Sequence, residues 1–170
     1  YSGSAWRGRF GTALRQTLCV TRAPRCDGCL LLTSCGYSYL FETPAVASEQ
    51  GLHLPDKAPH PFIIAPPAPG LREVPEGDSL TLEMVLLGRA IDYLPYVIHA
   101  WQRAGRLGLG KARQPFELID VQGQGGASTD CPAGGWRILL QPDGTLAALP
   151  PWQPAPPRGP LGRPDPVQVQ

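Results

Sequence analysis

Between residues 4 and 18, Trp6, Phe10, Ala13, Leu14 and Thr17 recur at steps of three and four. That spacing lines one side of an α-helix, so an amphipathic helix is predicted here, with Ser2 or Ser4 placed to cap it. It runs directly into Cys19. Further on, YSYLF at 37–41 and PFIIA at 61–65 predict two short strands separated by a polar loop. In DSLTLEMVLLG, Leu80, Leu82, Met84 and Leu86 alternate with Thr81, Glu83 and Val85, the period of a strand with one buried face. Ile91, Leu94, Ile98 and Trp101 then fall on one side of a second helix, which accommodates Pro95 in its first turn and is expected to stop at Gly105. The run GRLGLGKAR leads to a strand from Phe116 to Gln122. WRILLQPDGTLAAL predicts a hairpin turning at Pro142-Asp143-Gly144.

The order helix, strand, strand, helix, strand, with room for one strand upstream of Tyr1, is the βαββαβ plan of an α+β, ferredoxin-like fold. In that plan two helices cover one face of an antiparallel sheet. The folded part is expected over residues 1–149, and its cysteine loop over 19–35. From Pro150, eight prolines in 21 residues exclude regular structure and suit an extended linker or tail at 150–170.

Composition adds limits rather than identity. A chain of 170 residues, 42% hydrophobic and 17% charged, can bury one sound core and is not a disordered polymer. No run approaches the roughly 18 apolar residues of a membrane span, and YSGSAWRGRF has no signal-peptide stretch. A soluble, cytoplasmic protein without a membrane partner is expected. The chain starts at Tyr1 rather than a methionine, which fits a piece of something longer.

A net charge of +1 hides segregation along the chain. Residues 1–35 hold five arginines against one aspartate, residues 36–98 three basic against eight acidic groups, and residues 99–170 seven basic against five acidic. The first basic cluster is Arg7, Arg9, Arg15, Arg22 and Arg25. The second is Arg103, Arg106, Lys111 and Arg113, with no acid among them. Local clusters of this kind are the footprint of phosphate-backbone binding, and equally of a solvated helix face. Arg7, Arg9, Arg15, Arg106, Lys111 and Arg113 are the candidate phosphate-backbone contacts. GRLGLGKAR lacks the spacing of a phosphate-cradling P-loop.

Four of five cysteines, Cys19, Cys26, Cys29 and Cys35, fall within 17 residues, with six, two and five residues between them. Zinc sites usually pair ligands as two short knuckles, and only Cys26 and Cys29 form one here. Four thiolates are also the ligand set of an iron–sulfur cluster. Buried free thiols and disulfides are the competing readings: the first fits poorly with a compact polar loop, the second with a cytosolic chain. Cys131 has no partner nearby in sequence. The stretch LCVTRAPRCDGCLLLTSCGYSYLF, with Pro-Arg before its second cysteine and Tyr37 two residues after its last, resembles the iron–sulfur loop of endonuclease III and its adenine-glycosylase relatives. The resemblance covers about 24 residues and implies a [4Fe-4S] cluster, with zinc as the alternative; it does not extend to the glycosylase's helical domain.

A second resemblance covers more of the chain. SAWRGRFGTALRQTLCV, the cysteine loop ending in YLFETP, PHPFII, GDSLTLEMVLLGRAIDYLPYVIHAWQRAGRLGLGKAR and PFELIDVQ are similar to successive blocks of the CRISPR repeat-RNA processing endoribonucleases of the RAMP superfamily, the "Cas six" type. These blocks span residues 4–122, corresponding to an N-terminal domain. The resemblance implies two ferredoxin-like domains in tandem, binding of a CRISPR repeat transcript, and cleavage without metal.

Such cleavage requires deprotonation of a 2′-hydroxyl, protonation of the leaving 5′-oxygen and a cation for the phosphorane, tasks suited to histidine, tyrosine and lysine or arginine. The candidates are His60 in PHPF, Tyr37 and His99, with His53 in a polar loop and better explained as solvent-exposed. The resemblance places a general base near the first helix, where this sequence has Arg7, Arg9 and Tyr37 but no histidine. Two functions therefore stand: an endoribonuclease of CRISPR transcripts, or a non-catalytic RNA-binding subunit of a CRISPR ribonucleoprotein, partnered by other CRISPR-associated proteins, in which the cysteine loop is a staple. A redox or DNA-repair protein built on the cluster is a third.

Overall fold

In α1, Gly3–Leu18, Trp6, Phe10, Gly11, Ala13 and Leu14 are buried at the spacing of one helix face. Their partner is α2, Leu94–Leu107, which buries Val97, Ile98, Ala100, Trp101, Ala104 and Gly105. Phe10 stacks on Trp101 with ring centres 4.9 Å apart, and Trp6 meets the Phe116 ring edge-on at 5.5 Å. A polar strut joins the same helices where Arg103 Nε donates to Gln16 Oε1 at 2.9 Å. The computed structural model describes residues 3–44, 58–67, 74–124, 135–141 and 143–147. They divide between two compact units, Tyr1–Leu118 and Ile119–Gln170.

The first unit adds a two-stranded antiparallel sheet, β1 (Phe62–Ala65) with β2 (Glu83–Leu86), in the register Phe62 opposite Leu86 and Ile64 opposite Met84. Those four side chains belong to the helix core, whereas Ile63 and Val85, on the other face, are exposed. Phe62 reaches the centre, its ring edge-on to that of Phe10 with centres 5.5 Å apart. The second unit pairs β3 (Val121–Gln124) with β4 (Trp136–Leu140), also antiparallel. Among its described residues Leu139 and Leu140 are buried. Beyond β4 the chain turns through Asp143 and Gly144, and the Thr145 backbone N–H donates to Asp143 Oδ1 at 2.8 Å. The fold is thus α+β with small antiparallel sheets. No helix among the described residues is long and apolar enough to cross a membrane.

Several predicted elements are corrected. YSYLF is not a strand: residues 36–37 are helical and Ser38–Glu42 form a π-helical turn. The Tyr39 N–H donates to the Cys35 carbonyl at 2.9 Å, carrying on the turns of the cysteine loop, and Tyr37 stacks on Phe41 at 5.7 Å. That stack needs a helical turn, since four residues of extended chain would separate the rings by about 13 Å. β2 starts at Glu83, so Leu80 to Leu82 precede it. The strand expected at 116–122 is instead β3 at Val121–Gln124. A 3-10 helix, Gly88–Tyr93, precedes α2; Ile91 within it is exposed, and Pro95 sits in the first turn of α2.

Gly105 does not end α2. A Cβ there would lie 2.1 Å from the Phe116 carbonyl oxygen, so glycine permits the returning chain to touch the helix. The terminator is Gly108, whose φ of 72° suits glycine and whose N–H donates to the carbonyls of Ala104 and Gly105. Ser4 lies inside α1 rather than capping it. Ser2, His53, Cys131, Pro142 and the 150–170 tail lie outside the described residues.

Candidate functional site

α1 delivers the chain to Cys19 without a break, the Cys19 N–H donating to the Arg15 carbonyl at 2.8 Å. Residues 20–35 then form a series of tight turns rather than a strand or helix. The Cys29 N–H donates to the Cys26 carbonyl at 3.0 Å and the Cys35 N–H to the Leu31 carbonyl at 2.8 Å. Gly28, at φ 75°, supplies the positive angle that closes the Cys26–Cys29 turn. The result brings Cys19, Cys26, Cys29 and Cys35 together on the wall of one cavity of about 180 Å³, alongside Leu31 and Tyr37. All four thiols are free and half-buried. The Thr21 hydroxyl lies 3.8 Å from the sulfurs of both Cys19 and Cys29.

Charge around the pocket is uneven. Burial pushes the Cys26 thiol up, and the Glu42 carboxylate adds to it. At Cys19 burial acts in the same sense but loses to hydrogen bonds from Thr21, the Arg22 backbone and Arg15, which hold the thiol below its usual value. Arg15 is therefore a structural clasp: it donates to the Ala23 carbonyl and lies 5.7 Å over the Tyr37 ring. Four thiolates are the ligand type of an iron–sulfur cluster and of zinc. Among the described residues no three His, Cys, Asp or Glu side chains close around a single point.

A second constellation lies on the α1 flank that carries Arg7. Its guanidinium donates to His60 Nε2. Arginine has no acceptor, so in this pair the guanidinium is the donor and His60 Nε2 the acceptor. Arg7 also covers the Phe41 ring at 5.5 Å, and the His60 ring lies 5.7 Å from both Phe41 and Phe62. Tyr37 stacks on Phe41 and is buried, its hydroxyl donating to Glu42 Oε1 at 3.3 Å. Burial and the Glu42 charge push this phenol up to about 12. His99 is exposed on α2.

Arg9, from the first basic cluster, and the loop that carries Lys111 and Arg113, from the second, border a third place. The chain after α2 doubles back through mutual Leu109 and Gln114 backbone bonds of 2.7 and 3.0 Å, presenting Lys111 and Arg113 at an exposed tip. An open cleft of about 270 Å³ lies between α1 and this tip, lined by Ser4, Ala5, Gly8, Arg9, Thr12 and Gly110. Arg106 is exposed on the last turn of α2. Arg7 and Arg9 are two residues apart on one helix, which places them on opposite flanks.

The structure thus gathers the four cysteines, joins Arg7 to His60, and sets Arg9 beside the Gly110 loop. It leaves His99 in solvent and assigns Arg15 to the cysteine loop. Two contributors escaped the sequence pattern, Phe41 and Thr21. The i, i+4 spacing of Tyr37 and Phe41 was the available signal for the first; nothing in the sequence marks the second.

Comparison with known proteins now bears on the chain. The family model AF_1859_N, described as an N-terminal domain, matches residues 1–151. The chain belongs to that family. It is similar to an uncharacterized protein of Archaeoglobus fulgidus, 28% identical over 121 residues. The match takes in 71% of this chain and 39% of the relative, so the chain spans well under half of that protein's length. No solved structure matches.

Proposed function

We propose that this chain is the RNA-handling domain of a cytoplasmic CRISPR repeat-RNA processing endoribonuclease, with a ferredoxin-like plan in which α1, β1, β2 and α2 follow the βαββαβ order. The observation that carries this reading is the Arg7 guanidinium set against the His60 imidazole, which puts a proton acceptor and a fixed cation within one bond of each other. A scissile phosphodiester competes with His60 for Arg7, because guanidinium binds phosphate oxygens through charge-assisted hydrogen bonds. His60 Nε2 is then released to accept the 2′-hydroxyl proton. The 2′-oxygen bonds to phosphorus, the bond to the 5′-oxygen breaks, and that oxygen takes a proton from solvent. The products are a 2′,3′-cyclic phosphate and a 5′-hydroxyl. Arg9, Lys111 and Arg113, around the cleft beside α1, hold the RNA backbone.

In this reading Cys19, Cys26, Cys29 and Cys35 hold a [4Fe-4S] cluster. The single Cys26–Cys29 knuckle and the spacing of six, two and five favour the cluster, since zinc sites usually pair their ligands as two short knuckles. The cluster would supply a covalent staple for residues 19–35. Iron, acid-labile sulfide and zinc content of anaerobically purified protein decide between the metals: iron with sulfide is expected, and zinc without iron reverses the assignment.

Incubation with a repeat hairpin in chelator tests the activity. Cleavage to cyclic-phosphate ends that disappears in His60→Ala supports the proposal. A salt-sensitive gel shift without cleavage supports the second reading, a non-catalytic RNA-binding subunit assembled with other CRISPR-associated proteins. That alternative is favoured by one observation, that the candidate trio of His60, Tyr37 and His99 is not assembled, since Tyr37 is buried against Glu42 and His99 is exposed.

A further inference from the structure

Only one aromatic stack separates the cysteine pocket from the Arg7–His60 pair. Tyr37 lines the pocket. Phe41 stacks on Tyr37, with an interplanar angle of 14°, and touches both members of the pair. The ring is wedged, because Gly11 of α1 lies beneath it and a Cβ there would stand 2.4 Å from Phe41 Cζ. The backbone that carries Phe41 is a π-helical turn, a conformation that is rare and concentrated at functional positions. That turn is bonded to the last cysteine, through the Tyr39 N–H to the Cys35 carbonyl at 2.9 Å. It ends at Thr43, whose φ of 42° is left-handed in a residue other than glycine. A costly backbone, a helix notched to receive one ring, and contacts on both sides of that ring define a single mechanical link.

We propose that Phe41 is a positioning residue that couples the state of the four-thiol pocket to the geometry of the Arg7–His60 pair. This rests on the functional reading above only in giving the pair a catalytic role; the coupling itself concerns the folded chain. A shift of Cys35 when the pocket is filled passes along the turn to Phe41. The Phe41 ring, held by the Gly11 notch, answers by rotating or sliding as a unit, since packed interiors transmit displacement. Arg7 loses or gains its seat over the ring and with it the bond to His60. The pair therefore takes different geometries with the pocket empty and with it filled.

The test is nuclear magnetic resonance of the His60 ring in the chain without RNA. Chelator-treated, reduced protein receives one equivalent of Zn²⁺, and the carbon-bound His60 ring protons are followed. Wild-type protein is expected to show a displacement of these resonances on addition of Zn²⁺. Phe41→Met, which keeps side-chain volume but removes the ring, is expected to lose it, and Phe41→Tyr to retain it. An unchanged wild-type spectrum, or a full displacement in Phe41→Met, overturns the proposal. A pocket that takes no zinc is perturbed instead by alkylating its thiols with iodoacetamide, and the same outcomes are read. If Phe41→Met does not fold, Tyr37→Leu replaces it, breaking the stack one ring earlier. RNA cleavage is scored separately, so a chain that never cuts RNA can still show the coupling and an active one can lack it.

Discussion

Residues 3–18 with 94–107 and residues 19–35 are two parts of the same compact unit held by different physics. In the helix pair, Phe10, Ala13, Leu14, Ala100 and Ala104 have no exposed surface. In the cysteine loop, Val20 is 82% and Leu30 98% exposed, and the regular feature is a succession of turns around four sulfurs. The helices form because burial of their apolar faces outweighs the entropy of ordering them. The loop buries too little to do so by that route, and holds its shape through turn hydrogen bonds and the Arg15 clasp. Stability in the first region rests on burial; in the second, the proposed metal centre would make it a property of chain and ligand together.

The sharpest way to separate the two is to remove core volume. Phe10→Ala should cost about 3–5 kcal/mol in denaturant unfolding while leaving bound iron or zinc per folded molecule unchanged. A variant that lost metal in proportion to stability would show that the loop depends on the core after all. Cys26→Ser is the converse, expected to abolish stoichiometric metal binding. It should lower the stability of metal-loaded protein by about 2–3 kcal/mol, the mass-action value for ligand at about 100 times its dissociation constant. After chelator treatment the variant and wild type should unfold together.

Gly11→Ala probes the seam between the regions. Its methyl group enters the Phe41 ring, so a loss of about 1–3 kcal/mol is expected, read by thermal unfolding. Raising the pH offers a milder probe. The Tyr37 phenol is pushed up to about 12 in the folded chain against 10.0 in the unfolded one, so the native state holds its proton longer. Its contribution is complete below pH 10 and is lost as pH rises to about 12. Tempered by solvent screening, the loss should be about 1 kcal/mol and absent in Tyr37→Phe. Arg9→Ala with Lys111→Ala should leave folding untouched and reduce the salt dependence of repeat-RNA binding by about one unit of slope per residue. An unchanged slope would remove the cleft from the RNA path.

Legibility in the sequence followed the same division. α1 was readable because one periodic face meets one buried surface, and Cys19, Cys26, Cys29 and Cys35 because four thiols in 17 residues have few uses. YSYLF misled because alternating aromatics score as strand, while the Gly11 notch that favours a helical turn lies 30 residues away from Phe41. Gly105 carried the mark of a helix stop, yet its lack of a Cβ serves contact with Phe116, which only the returning chain reveals. His60 was named as a candidate, but its partner could not be, since Arg7 lies 53 residues upstream.

What the sequence determined by itself is local: that two amphipathic helices form, which residues make up most of their buried faces, and which atoms are available as thiol ligands. These depend on periods of a few residues and on side-chain chemistry. Tertiary structure alone decided that Phe41 stands between Tyr37 and His60, that Arg7 seats on both Phe41 and His60, and that Arg9 faces the Gly110 loop. Each of those pairings joins distant segments through close packing, and a linear pattern of apolar and polar residues carries no record of which segment will fill which gap.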